Sequence, residues 1–78
     1  MIRTEELARR IRVLRKQKGL TQSALAEKMD VTTQAVSKWE RGRAMPDLSR
    51  VDELAVVLGV EVTYLLWGNS SAPQNAVD

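Results

Sequence analysis

Residues 22–41 read QSALAEKMDVTTQAVSKWER. Leu25 and Met29 stand four apart, on one face of a helix, and Val36 and Trp39 stand three apart, on one face of a second helix. The two patterns are joined by a tight turn at Met29, Asp30 and Val31. Ala26 is small at the point where two steeply crossed helices need their backbones close. Thr32, just ahead of the second pattern, is suited to cap a free amide at its head.

Two short helices joined in this way form a helix-turn-helix, and the rest of the chain supplies its surroundings. Gly19, Gly42, Gly59 and Gly68 each follow a helical stretch, where glycine accepts the left-handed backbone of a helix stop. Helix starts are marked by Thr4 with Glu5 and Glu6 behind it, and by Thr21, Thr32 and Asp47. Five helices fit between these marks. The first, about Thr4 to Lys18, carries Leu7, Ile11 and Leu14. The fourth repeats Leu48, Val51, Leu54, Ala55 and Leu58, and the fifth is the run Val62, Tyr64, Leu65, Leu66 and Trp67. All these apolar residues are expected in one core, and no strand pattern occurs. The fold class is all-α, a compact five-helix domain over residues 1–68, with 69–78 (NSSAPQNAVD) as a flexible polar tail or an interdomain linker.

Composition narrows the function. The 78 residues are 44% hydrophobic and 28% charged, within the globular range. No cysteine and no histidine are present, which removes the commonest metal ligands and the commonest general base. Serine, threonine, lysine and carboxylates never combine into a nucleophile, base and orienting group, so the chain is read as a non-enzyme with no cofactor and no metal. There is no apolar run of membrane-spanning length and no leader pattern, giving an expectation of a cytoplasmic protein. The formal charge of +2 conceals an asymmetry. Residues 1–43 hold 11 Lys/Arg against 5 Asp/Glu, whereas residues 44–78 hold 1 against 5. A membrane-surface role for the basic first helix fails, because its arginines ring the helix and its apolar stripe is needed inside.

With Val36 and Trp39 turned inward, the opposite face of the third helix, about 32–41, displays Thr33, Gln34, Ser37, Lys38 and Arg41. Helix, turn and flanks together resemble the helix-turn-helix family of phage repressors and Cro proteins, the xenobiotic-response-element family of bacterial regulators. The resemblance lies in LTQ at 20–22, LAEKMDVTTQAVSKWERG at 25–42, Pro46–Asp47 and LGVEVTYLLWG at 58–68. It covers about Arg3 to Gly68 and implies a lambda-repressor-like domain. One departure is Asp30, where the family usually has glycine; aspartate tolerates left-handed backbone better than most residues.

The resemblance implies a sequence-specific DNA-binding transcriptional regulator, in particular a repressor of bacterial or phage type. Its third helix would enter the major groove of a palindromic operator. Thr33, Gln34 and Lys38 match base-reading positions, with Ser37 secondary; glutamine pairs bidentately with adenine, and lysine donates to guanine. Thr21, Gln22, Arg41 and Arg43 match phosphate-binding positions, while Lys16 and Lys18 are either further phosphate contacts or solubilising charges. Arg15 and Glu40 match a partly buried salt bridge. Val56 and Val57 lie off the fourth helix's stripe and Trp67 ends the fifth; these three either complete the core or form the contact of a homodimer. The dimer would space two third helices about 34 Å apart, one turn of DNA. The alternative is an antitoxin or adaptor that holds a protein partner through the acidic half or the tail.

Overall fold

The computed structural model describes residues 2–68, and the tail read at 69–78 lies outside the described residues. Five helices follow in order: α1 Thr4–Gln17, α2 Gln22–Met29, α3 Thr33–Glu40, α4 Leu48–Leu58 and α5 Val62–Trp67. No strand occurs among the described residues.

Three of the expected caps are made. Thr21 Oγ1 accepts the Ala24 N–H at 2.9 Å, Thr32 Oγ1 accepts that of Ala35 at 3.0 Å, and Asp47 Oδ1 accepts that of Arg50 at 3.0 Å. Each satisfies an amide that the first turn leaves without a partner. Four helices stop by one device. The N–H one residue beyond a left-handed residue reaches back five positions: Leu20 to the Arg15 carbonyl, Val31 to Ala26, Arg43 to Lys38 and Val60 to Ala55, at 2.9–3.1 Å. The left-handed residue is glycine in three of these stops and Asp30, at φ 58°, in the stop between α2 and α3. The turn thus keeps the glycine geometry without the glycine.

The core gathers the expected stripes: Leu7, Ile11 and Leu14 from α1, Leu25 and Met29 from α2, Val36 and Trp39 from α3, and Leu65 and Leu66 from α5. Ala26 is buried at the α2–α3 contact, as its small size requires. From α4 come Val51, Leu54, Ala55 and Leu58, one continuous helical face. Leu48 corrects the expectation. It is 82% exposed, because the first turn of α4 meets the polar end of α2, where Arg50 Nη1 donates to the Met29 carbonyl at 3.2 Å. The α5 run is divided as well: Leu65 and Leu66 are buried, Val62 and Tyr64 half-buried, and Trp67 46% exposed. A six-residue helix has room for little more than one buried turn.

Candidate nucleic-acid interface

Glu40 organises the region around α3. Its carboxylate is 3% exposed as a residue and accepts from Arg15 of α1 twice, Nε to Oε2 at 2.6 Å and Nη2 to Oε1 at 3.0 Å. The third arm of the guanidinium, Nη1, donates to the Leu20 carbonyl at 2.8 Å. A bidentate pair of this kind fixes orientation as well as distance, and donating to the Glu40 carboxylate raises the Arg15 pKa above its ordinary value. Gln22, the first residue of α2, donates from Nε2 to the same Oε1 at 3.0 Å. One buried carboxylate therefore ties the last turn of α1 and the head of α2 to the end of α3.

The inner face of α3 is closed by Val36, Trp39 and Glu40, all buried. Its outer face presents Thr33, Gln34 and Lys38 to solvent, with Ser37 half-buried between them. Their side chains project from a helix locked on its far side, so their positions are set without any of them contributing to the core. Arg41, the residue after α3, is exposed and folds Nε back to the Ser37 carbonyl at 3.3 Å, and Arg43 is exposed in the loop that follows. Thr21 is exposed at the head of α2. The second N–H of the Gln22 amide is not used in the bond to Glu40.

Other residues are placed elsewhere. Lys16 is exposed on α1, but Lys18 reaches across to Gly59, its Nζ 2.9 Å from where a Cβ would stand, over the C-terminal end of α4. That end carries partial negative charge and suits a cation, so Lys18 is separated from the α3 group. Val56 is 77% exposed, whereas Val57 packs against the core.

The arginines of α1 also divide, a distinction missing from the expected site residues. Arg10 turns inward and caps α5, donating from Nε to the Leu65 carbonyl and from Nη2 to the Leu66 carbonyl, each at 2.7 Å. Arg9 and Arg12 remain exposed beside Arg41 and Arg43. The signal that separates them was available: Arg9, Arg12 and Lys16 share one helical face at i, i+3 and i+7. Among the described residues no group of His, Cys, Asp or Glu is arranged to hold a metal, and no helix is long and apolar enough to cross a membrane.

The helix-turn-helix family model matches residues 11–65. The chain belongs to that family. Among its relatives is the SPbeta prophage-derived HTH-type transcriptional regulator YonR of Bacillus subtilis (strain 168), 37% identical over 59 residues, which are 76% of this chain and 55% of that protein. The chain spans about half the length of the curated relatives it first matches. Among solved structures, the P22 c2 repressor in complex with a synthetic operator superposes with a TM-score of 0.79 at 33% identity, over 85% of this chain and all of that one. The domain has the fold of that repressor. The family's fold also occurs inside a larger enzyme: hydroxypropylphosphonic acid epoxidase from S. wedmorenis matches at a TM-score of 0.74 and 26% identity, over 81% of this chain and 34% of the enzyme.

Proposed function

We propose that the chain is a sequence-specific DNA-binding transcriptional regulator of the repressor type, acting in the cytoplasm of a bacterium or of a phage-infected cell. In this reading α3 enters the major groove of a palindromic operator. Thr33, Gln34 and Lys38, with Ser37 beside them, read base edges; Thr21, Gln22, Arg41 and Arg43 hold phosphates. Lys16 joins them, and Lys18, whose ammonium lies over Gly59 at the end of α4, is the weakest member of the set.

The observation that carries the reading is the split of α3: an inner face locked by Val36, Trp39 and the Arg15–Glu40 pair, and an outer face of polar side chains that nothing in the fold requires. Gln22 then works twice, one N–H on Glu40 and the other toward a phosphate, so the anchor at the head of α2 and the reading helix are held in register. The binding unit is residues 1–68, and it acts as a non-enzymatic module without cofactor or metal. The exposed Val56 and Trp67 provide the contact of a homodimer on DNA, with half-sites about one helical turn apart.

Selection of bound sites from random duplex DNA tests this. The native chain is expected to select a palindrome; Gln34→Ala changes the base preference at one position, and Arg43→Ala weakens binding uniformly while keeping the preference. No selected site for the native chain would overturn the reading. The exposed Leu48 and Val56 on the acidic half favour a second one, a module that holds a protein partner, and a partner bound without loss at high salt would support it.

A further inference from the structure

Gly42, at φ +70°, lies against α1: a Cβ there would stand 3.7 Å from Thr4 Cγ2 and 3.9 Å from Ala8 Cβ. This close approach seats the segment after α3 on the first half of α1. It brings Arg41 and Arg43 beside Arg9 and Arg12 around one open cleft of about 460 Å³, also walled by Glu5 and Glu40. Arg12 is steered toward α3 by the bond from its Nη1 to the Glu40 carbonyl, at 3.4 Å.

Four arginines thus line one space, and none of them is ion-paired among the described residues. Glu40 does not neutralise them, because both of its carboxylate oxygens are held by Arg15. Glu5 is the one other carboxylate on the wall. Arginine presents a planar fork of donors that matches phosphate oxygens, and its guanidinium is weakly hydrated. Glu40, the last residue of α3, and Arg41, the residue after it, are both on the wall, so an anion in the cleft lies at the C-terminal end of that helix.

We infer that this cleft is a further DNA-backbone site, in which Arg9 and Arg12 of α1 join Arg41 and Arg43, each adding one phosphate contact beyond those held at the head of α2. The inference rests on the reading of α3 as a DNA-reading helix. α1 then serves two surfaces: its apolar stripe, with Arg10 and Arg15, builds the fold, and its Arg9–Arg12 face binds the ligand.

The test compares the native chain with the Arg9→Gln/Arg12→Gln double variant on a duplex selected by the native chain, titrated from 50 to 200 mM salt. Loss of two phosphate contacts is expected to make the slope of log K against log salt shallower by about 1.8, with base preference unchanged. Neutral methylphosphonates walked along each strand are expected to reveal at least one phosphate whose neutralisation weakens the native chain but not the variant. Arg9→Lys/Arg12→Lys is expected to restore the slope. Should the double variant fail to fold, Arg9→Gln alone is expected to lose about 0.9 of slope, since Arg9 is exposed and holds no other element. An unchanged slope, or equal sensitivity of native and variant at every phosphate, would overturn the cleft while leaving the α3 reading intact. Binding of millimolar inorganic phosphate that is lost in the variant but leaves the native chain's duplex affinity unchanged would assign the cleft to a free anion and overturn it too. A native chain that selects no duplex brings down both.

Discussion

The two faces of α3 share eight residues and carry opposite burdens. On the inner face, Val36 is wholly buried, Trp39 nearly so, and Glu40 is buried with every bond to its carboxylate made inside the domain. On the outer face Thr33, Gln34 and Lys38 are exposed and bear no weight in the packing. The inner face therefore decides where the helix sits, and the outer face is free to vary without cost to the packing. Substitutions on either side of this separation are ways to break it.

The largest effect is expected on the inner face. Glu40→Gln leaves the Arg15 guanidinium buried without its counter-charge, a loss of about 3–5 kcal/mol. A domain of this size holds about 3–10 kcal/mol in all, so urea denaturation should show a midpoint far below the native one. An unchanged midpoint would mean the pair contributes nothing that glutamine cannot replace. Next comes the turn that leads into α3. Asp30→Gly removes the steric cost of left-handed backbone at φ 58° and is expected to stabilise by about 0.5–1 kcal/mol after the extra chain entropy of glycine is subtracted. Calorimetry should show a melting temperature higher by a few degrees, and a lower one would place the strain elsewhere.

A smaller effect distinguishes the buried carboxylate from an exposed one. The Asp47 carboxyl lies below its usual pKa range, first because it accepts the Arg50 backbone N–H and then because it accepts the Ser49 hydroxyl. Its capping contribution is present above the ordinary aspartate value near 3.9 and is lost as pH falls through the lowered value. Thermal melts between pH 5 and pH 2 should therefore fall less for Asp47→Asn than for the native chain, and equal slopes would show that the cap is not pH-linked. The smallest change is expected on the outer face: Gln34→Ala should leave stability within about 0.5 kcal/mol, and a larger loss would mean that the face helps hold the fold.

Much of this was legible in the sequence, for identifiable reasons. The helix stops were readable because left-handed backbone selects glycine, and the starts at α2, α3 and α4 because Thr21, Thr32 and Asp47 carry the oxygens that caps require. The outer face of α3 followed from Val36 and Trp39 alone, since periodicity assigns the opposite side once one side is buried. Arg15 and Glu40 were found through resemblance, being 25 positions apart with no local pattern to join them. Leu48 was misplaced because periodicity gives a residue's angle on its helix, while the end of the neighbouring helix decides whether anything covers it.

The sequence by itself determined the five helices, the tight turn between α2 and α3 and which side of α3 faces out, because these depend on local backbone preference and on apolar spacing along one segment. Only the tertiary structure decided what the charged residues do. Arg9, Arg10, Arg12 and Arg15 are chemically alike in sequence, yet one caps α5, one is paired with Glu40 and two flank the cleft beside α3. Long side chains take their roles from whichever carbonyl, carboxylate or open space another segment brings within reach, and that is a property of the packed helices.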